Sequence, residues 1–74
     1  MNIQEAVKRA MRIDGYIVCE NWPFVAIKPT DTPDGCMGYN AMRRDKAPYK
    51  RWQPNAGDLV SDDWRVIKTI DELL

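Results

Sequence analysis

The sequence contains no histidine, only two cysteines and no surplus of either charge. A structural zinc site needs four nitrogen or sulfur ligands, and two cysteines without histidine supply only two. Two cysteines are also too few for a disulfide framework. The 11 basic residues are matched by 11 acidic ones, which argues against a protein that binds nucleic acid polymers through surplus positive charge. Without histidine, the chain also lacks the side chain that most often acts as an acid or base near neutral pH.

Long apolar runs and targeting signals are also lacking. No stretch approaches the roughly 18 apolar residues of a membrane-spanning helix, and the first residues lack the basic and apolar regions of a secretory signal. There is no glycine-rich phosphate loop of the P-loop or dinucleotide type. We therefore expect a cytoplasmic protein with reduced thiols, and the 74 residues predict a single domain over residues 1–74.

The small size of the chain predicts self-association. A domain this short buries only about 60% of the surface that its unfolded chain exposes. Small domains are often stabilised by disulfides, metals or partner subunits. Because the composition argues against the first two, we expect a homodimer or homotetramer.

The pattern of apolar residues predicts an α+β fold in which an N-terminal helix packs on a small antiparallel sheet. Apolar residues recur at spacings of three and four over the first twelve positions. Asn2 is a suitable N-cap, and Asp14-Gly15 ends the helix. A short helical turn is expected at residues 55–60, before the last strand. Runs of β-branched and aromatic residues predict strands at residues 16–19, 24–28 and 64–68.

The centre of the chain is less clear. Residues 29–38 hold two prolines and two glycines and predict a loop, with its tightest turn at Pro33-Asp34-Gly35. Residues 39–43 have the character of a strand, and residues 47–52 are expected to pair back on it through a turn at 44–46. Residues 69–74 predict either a turn of helix or a tail that docks on a partner.

Three tryptophans lie where predicted strands meet polar turns. A tryptophan in this position closes a hydrophobic core or offers a flat face to a ligand ring. The alternation of the last strand favours a core position for Trp64, whereas Trp22, beside Pro23 and Asn21, suits either role. Near Trp52, residues 43–51 carry five basic side chains and one acidic one. This basic-aromatic patch suits a solvated turn, a ring-bearing phosphate ligand or the acidic surface of a protein.

Groups suited to catalysis are few. Cys19 lies in an apolar run, where burial makes a thiol inert. Asp58, Asp62 and Asp63 have the oxygen donors that divalent cations prefer, although helix capping and solvated turns explain them as well. We expect no metal, no cofactor and no enzymatic activity.

The C-terminal block, residues 52–66, resembles the ending of a widespread family of small phage and prophage proteins. The shared features are a tryptophan, a short polar stretch, an aspartate followed by two aliphatic residues, and an acidic pair before a tryptophan that opens the last strand. Glu5-Ala6 in the first helix and Trp22 after the first strand add weaker support. Some members of this family are Thoeris anti-defence proteins of the second type.

The resemblance implies a sponge rather than an enzyme. Such members bind the cyclic ADP-ribose-type signal of a bacterial TIR-domain enzyme between subunits of a homo-oligomer, inside the host cytoplasm. Some also hold cyclic di- or trinucleotides of the CBASS type elsewhere. It also implies that Asp58 accepts hydrogen bonds from ribose hydroxyls and that Asn55 bonds a ribose or base edge. The candidate ligand-binding residues are Trp22, Phe24, Tyr39, Arg43, Arg44, Trp52, Asn55 and Asp58.

Two other functions compete with this expectation. The first is a protein–protein module that blocks a host factor through the basic-aromatic patch. The second is a nucleotide-cleaving enzyme that uses a metal held by the cluster of Asp58, Asp62 and Asp63.

Overall fold

A four-stranded antiparallel sheet organises the protein, whose computed structural model describes residues 1–42 and 48–73. The strands lie in the order β3-β2-β1-β4. The predicted α+β class, with one helix on a small antiparallel sheet and a short helix before the last strand, is confirmed. The elements in chain order are α1 (Ile3–Ile13), β1 (Tyr16–Cys19), β2 (Val25–Lys28), β3 (Met37–Asn40), α2 (Ala56–Val60), β4 (Trp64–Ile67) and a C-terminal 3₁₀ helix (Ile70–Leu73).

Helix α1 begins and ends where the sequence predicts. The side chain of Asn2 accepts a hydrogen bond from the backbone N–H of Glu5, which satisfies one free donor of the first turn. Asp14 ends the helix in the left-handed conformation, with φ of 55°. Gly15 follows because a Cβ there would lie 2.5 Å from the carbonyl oxygen of Ile67, so only glycine lets the chain pass this close to β4.

The two faces of the sheet carry different clusters. Helix α1 packs against one face, mainly on β1 and β4, and buries Ala6 and Ala10. The residues of that cluster from the sheet are Ile17, Cys19, Ile27 and Trp64. The opposite face buries Val18, Ala26 and Ile67, covered in part by Tyr16, Tyr39, Ile70 and Leu73. Among the helices that the structure describes, none has the length and apolar character needed to cross a membrane.

Strand β3 differs from its prediction. It begins at Met37, inside the predicted loop, and ends at Asn40. Its partner β2 sets this register, pairing Met37 with Lys28 and Asn40 with Val25. The return segment pairs back one position before the strand predicted at residues 39–43: among the described residues, Tyr49 forms a bridge with Gly38, with both N–H···O distances at 2.9 Å. The turn predicted at residues 44–46 lies outside the described residues.

Candidate functional site

A cleft of about 360 Å³ opens on the face of the sheet that carries α1. Helix α1 covers β1 and β4, and the rest of this face lies between α2 and the segment of residues 49–53, where the cleft forms. Its volume lies in the range of small-molecule sites, about 300–1,000 Å³. The residues that line it are Cys19, Trp22, Val25, Ile27, Tyr49, Trp52, Gln53, Asn55, Asp58 and Trp64.

Asp58 is the centre of the hydrogen bonds at one side of the cleft. It is only 7% exposed. Its Oδ2 accepts from the backbone N–H of Asn55 at 3.0 Å, and its own N–H donates to the Asn55 side chain at 2.8 Å. These two bonds form the capping box that starts α2. The other carboxylate oxygen, Oδ1, accepts from the indole nitrogen of Trp22 at 3.2 Å.

The backbone of Asp58 ties α2 to the core. Its carbonyl accepts a hydrogen bond from the indole Nε1 of Trp64 at 2.9 Å, and Trp64 is 3% exposed. Below it, the thiol of Cys19 contacts the Ser61 hydroxyl at 3.7 Å. The short helix is therefore held against the sheet by a buried tryptophan, which places the Asp58 carboxylate at the cleft in a fixed position.

Trp22 forms a second wall, from the turn between β1 and β2. The turn is closed by two backbone bonds, from Trp22 N–H to the Cys19 carbonyl at 2.9 Å and from Val25 N–H to the Trp22 carbonyl at 3.1 Å. Pro23 donates no backbone hydrogen bond, and it lies between the end of β1 at Cys19 and the start of β2 at Val25. The Trp22 side chain is 55% exposed although it lines the cleft, so its indole presents a large open surface.

Tyr49 and Trp52 form the wall opposite α2. The Tyr49 ring lies on Gly38, where an added Cβ would come within 2.1 Å of it. Partial burial raises the pKa of the Tyr49 hydroxyl above its ordinary value, so the group stays protonated at neutral pH and can donate. Trp52 packs edge-on against Trp64 with ring centroids 5.9 Å apart. A backbone bond from Trp52 N–H to the Cys36 carbonyl, 2.8 Å, fixes this segment beside β3.

The described residues that line the cleft carry little charge. Of the described residues that line it, none is basic, and Asp58 supplies the one carboxylate. The described walls are thus suited to the flat and hydroxylated parts of a ligand, and donors to a phosphate have to come from elsewhere. In residues 1–42 and 48–73, no three acidic or thiol side chains come together as a metal site, so Asp58, Asp62 and Asp63 do not form the cluster that the metal hypothesis needs.

A family model, the Thoeris anti-defense 2-like domain, matches residues 1–67 of the chain. The chain belongs to this family. The family name indicates a Thoeris anti-defense role and is consistent with a protein that is not an enzyme. The resemblance drawn from residues 52–66 is confirmed, and the match extends it over most of the chain. No curated protein and no solved structure is similar enough to match.

The structure brings four of the predicted binding residues together. Trp22, Trp52, Asn55 and Asp58 all line the cleft of this family member, although they come from the β1–β2 turn and from the segment before and inside α2. Their role in binding a ligand stays a prediction.

Two of the other four predicted residues, Tyr39 and Phe24, do not line the cleft. Tyr39 lies on the opposite face of the sheet, because it pairs with Ala26 in the β2–β3 register and stacks edge-on with Tyr16 at 5.5 Å. Phe24 is 48% exposed and does not line the cleft. Arg43 and Arg44 lie outside the described residues.

Sequence reasoning missed two polar residues of the cleft, Tyr49 and Gln53. The sequence predicts a role for Tyr49 only as part of the basic-aromatic patch. The signal for its position was Gly38, a glycine in a strand, which often marks the close approach of another group.

Proposed function

We propose that the protein acts in Thoeris anti-defense as a sponge: it binds a cyclic ADP-ribose-type signal and withholds it without cleaving it. It would act in the cytoplasm of the infected cell. The family name supports the anti-defense role. The observation that carries the binding mechanism is the cleft, in which the open faces of Trp22 and Tyr49 share one site with the amide side chains of Gln53 and Asn55.

The aromatic walls supply the affinity for a base. An aromatic side chain that stacks on a base is worth about 1–3 kcal/mol. Trp22 offers such a face because its turn holds it at the cleft while half of its surface stays open. Tyr49 lies on the cleft's other wall and is 41% exposed. Both are open enough to contact a planar ring.

Polar anchors beside these rings suit a ribose. The side chains of Gln53 and Asn55 line the cleft, and an amide both donates and accepts hydrogen bonds. The Tyr49 hydroxyl adds a donor. Ribose hydroxyls need both kinds of partner, so these groups orient a sugar next to a stacked base.

The pyrophosphate needs donors from outside the described walls. Arg43 and Arg44 are proposed for this role, since guanidinium groups bind phosphate oxygens through paired hydrogen bonds. We also propose that the protein is a homo-oligomer whose ligand sites lie between subunits, so that one cleft is completed by a second copy.

Capture rather than cleavage fits the position of Asp58. Both of its carboxylate oxygens accept hydrogen bonds from the protein, which fixes its orientation and lowers its reactivity as a nucleophile. Capture requires only affinity, through stacking and a few polar anchors.

The test is a binding and recovery experiment. The cyclic ADP-ribose isomers that a bacterial TIR-domain enzyme makes from NAD⁺ are titrated singly into the protein by calorimetry, with NAD⁺ and linear ADP-ribose as controls. The complex is then heated, the protein removed and the ligand analysed by chromatography. We expect depletion before heating and intact recovery after it.

Two results would contradict the proposal. A chemically altered ligand after heating means that the protein is an enzyme. No depletion of any isomer removes the sponge mechanism and leaves the protein–protein module as the alternative; capture of a host factor by that module would then depend on the basic-aromatic patch.

A further inference from the structure

We infer that Asp58 is a positioning residue, whose carboxylate holds the indole of Trp22 as a wall of the cleft and affects ligand binding through Trp22. The observation is the 3.2 Å hydrogen bond from Trp22 Nε1 to Asp58 Oδ1. It joins residues 36 positions apart, between the β1–β2 turn and α2. As far as the ligand is concerned, this inference rests on the proposed function.

The acceptor in this bond is rigid. Asp58 is buried, its second oxygen is held by the Asn55 N–H, and its carbonyl is held by the Trp64 indole. The Asn55 bond to the carboxylate and the Trp64 bond to the backbone, together with burial, hold the carboxylate in one orientation independently of Trp22. A charged acceptor also makes a stronger hydrogen bond than a neutral one.

The donor, in contrast, is weakly packed. Trp22 is 55% exposed and extends from a turn, so few neighbours restrict its two side-chain torsions. The bond to Asp58 selects the orientation in which the indole lines the cleft. A ligand binds more tightly to an indole that is already oriented, because none of the binding free energy is then used to order that side chain.

This inference differs from the direct contact that the family resemblance implies for Asp58. If the carboxylate bonded a ribose, removing it would weaken binding whether or not Trp22 had an indole N–H. If it acts through Trp22, its removal matters only while that donor is present. Trp22→Phe keeps an aromatic face and removes the donor, so the two cases are separable.

The first measurement needs no ligand. In ¹⁵N-labelled protein the Trp22 indole signal is assigned by its loss in Trp22→Phe, and its hydrogen exchange is followed. We expect Asp58→Ala to shift this signal and speed its exchange at least threefold. Asp71→Ala, which removes an exposed carboxylate of the C-terminal 3₁₀ helix that does not line the cleft, is the matched control and should leave both unchanged.

The second measurement is a double-mutant cycle on affinity for the isomer that the wild type binds most tightly. We expect Asp58→Ala to weaken binding at least tenfold in the wild type and less than twofold in Trp22→Phe. Interaction between neighbouring residues appears as such non-additivity. The folded state of each variant is checked by its thermal transition.

If Asp58→Ala does not fold, Asp58→Asn replaces it. The amide lacks the negative charge, so the bond from Trp22 weakens and faster indole exchange is again expected. Unchanged indole exchange, or equal losses of affinity in both backgrounds, overturns the inference. If the wild type binds no isomer, the proposed function fails, while the indole signal still decides whether Asp58 positions Trp22.

Discussion

Trp22 and Trp64 are the same residue type in opposite environments. Trp64 is 3% exposed and Trp22 is 55% exposed. We expect Trp64→Ala to lower the free energy of unfolding by about 3–5 kcal/mol. Trp22→Ala should lower it by only about 1 kcal/mol, the value of a lost hydrogen bond, and should weaken ligand binding by about 1–3 kcal/mol. Urea unfolding and calorimetry on both variants check this, and the reverse order of stabilities would mean that the two tryptophans exchange roles.

Gly38 and Tyr49 are in close contact, so a larger residue at position 38 has a defined effect on the Tyr49 ring. A Cβ at position 38 would enter the Tyr49 ring at 2.1 Å, so Gly38→Ala must displace that ring from the cleft. We expect a loss of about 1–3 kcal/mol in unfolding free energy, the usual cost of overpacking, together with weaker ligand binding.

The matched control for this pair is the same change in a Tyr49→Ala background. With the ring absent, the added methyl group has room, so Gly38→Ala should cost little further stability. An equal loss in both backgrounds would show that the cost arises from the strand backbone instead of the ring.

At the scale of elements, local sequence signals predict α1 and α2 well and β3 poorly. Asn55 and Asp58 have the spacing of a capping box, and the structure shows both of its bonds. Strand β3 has no such local signal, because its register comes from pairing with β2. Long-range pairing of this kind is not readable from neighbouring residues.

The C-terminal 3₁₀ helix should respond to pH through Glu72. The backbone N–H groups of Thr69 and Lys68 donate to its carboxylate, which lowers the pKa of Glu72 below its ordinary value. Because the pKa of Glu72 is lowered when its carboxylate is hydrogen-bonded, protonation favours the form in which these two bonds are broken. The cap therefore stabilises the 3₁₀ helix fully above the ordinary pKa of a glutamic acid, about 4.3. This stabilisation is lost as the pH falls through the lowered pKa of Glu72.

The test follows the backbone amide signals of Lys68 and Thr69 between neutral and acidic pH. We expect one titration, below the ordinary range of a glutamic acid, and its absence in Glu72→Gln. Asp71→Asn is the matched control, since Asp71 is the adjacent acid of the same helix, and it should leave the titration in place. If the titration is lost in Asp71→Asn instead, the titrating group is Asp71 and not Glu72, and the prediction is wrong.

For the whole molecule, the sequence predicts the site in part. One cleft brings together four of the residues that the sequence predicts as ligand contacts: Trp22, Trp52, Asn55 and Asp58. Tyr39 lies on the opposite face of the sheet, because the face that a strand residue occupies depends on register, which flips with a shift of one residue. The hydrogen bond between Trp22 and Asp58 was also out of reach, since it joins two segments whose approach is set by the packing of α2 on Trp64.

The small size and the exposed apolar surface of the chain predict that it self-associates. A 74-residue chain buries too small a fraction of its surface to be strongly stable alone. Several large apolar side chains stay exposed in the described residues, which is the surface that association would cover. They are Met11, Ile13, Trp22, Phe24, Met42, Tyr49, Leu59 and Val60.

We therefore expect a dimer or tetramer at micromolar concentration, measured by sedimentation equilibrium. Because association stabilises the folded state by mass action, the thermal midpoint should rise with protein concentration. A monomer has a midpoint independent of concentration, so the two measurements check each other. A well-folded species of monomer mass, with a constant midpoint over a hundredfold range of about 1–100 μM, would show that one chain is stable alone, and a ligand site between subunits would then have no structural basis.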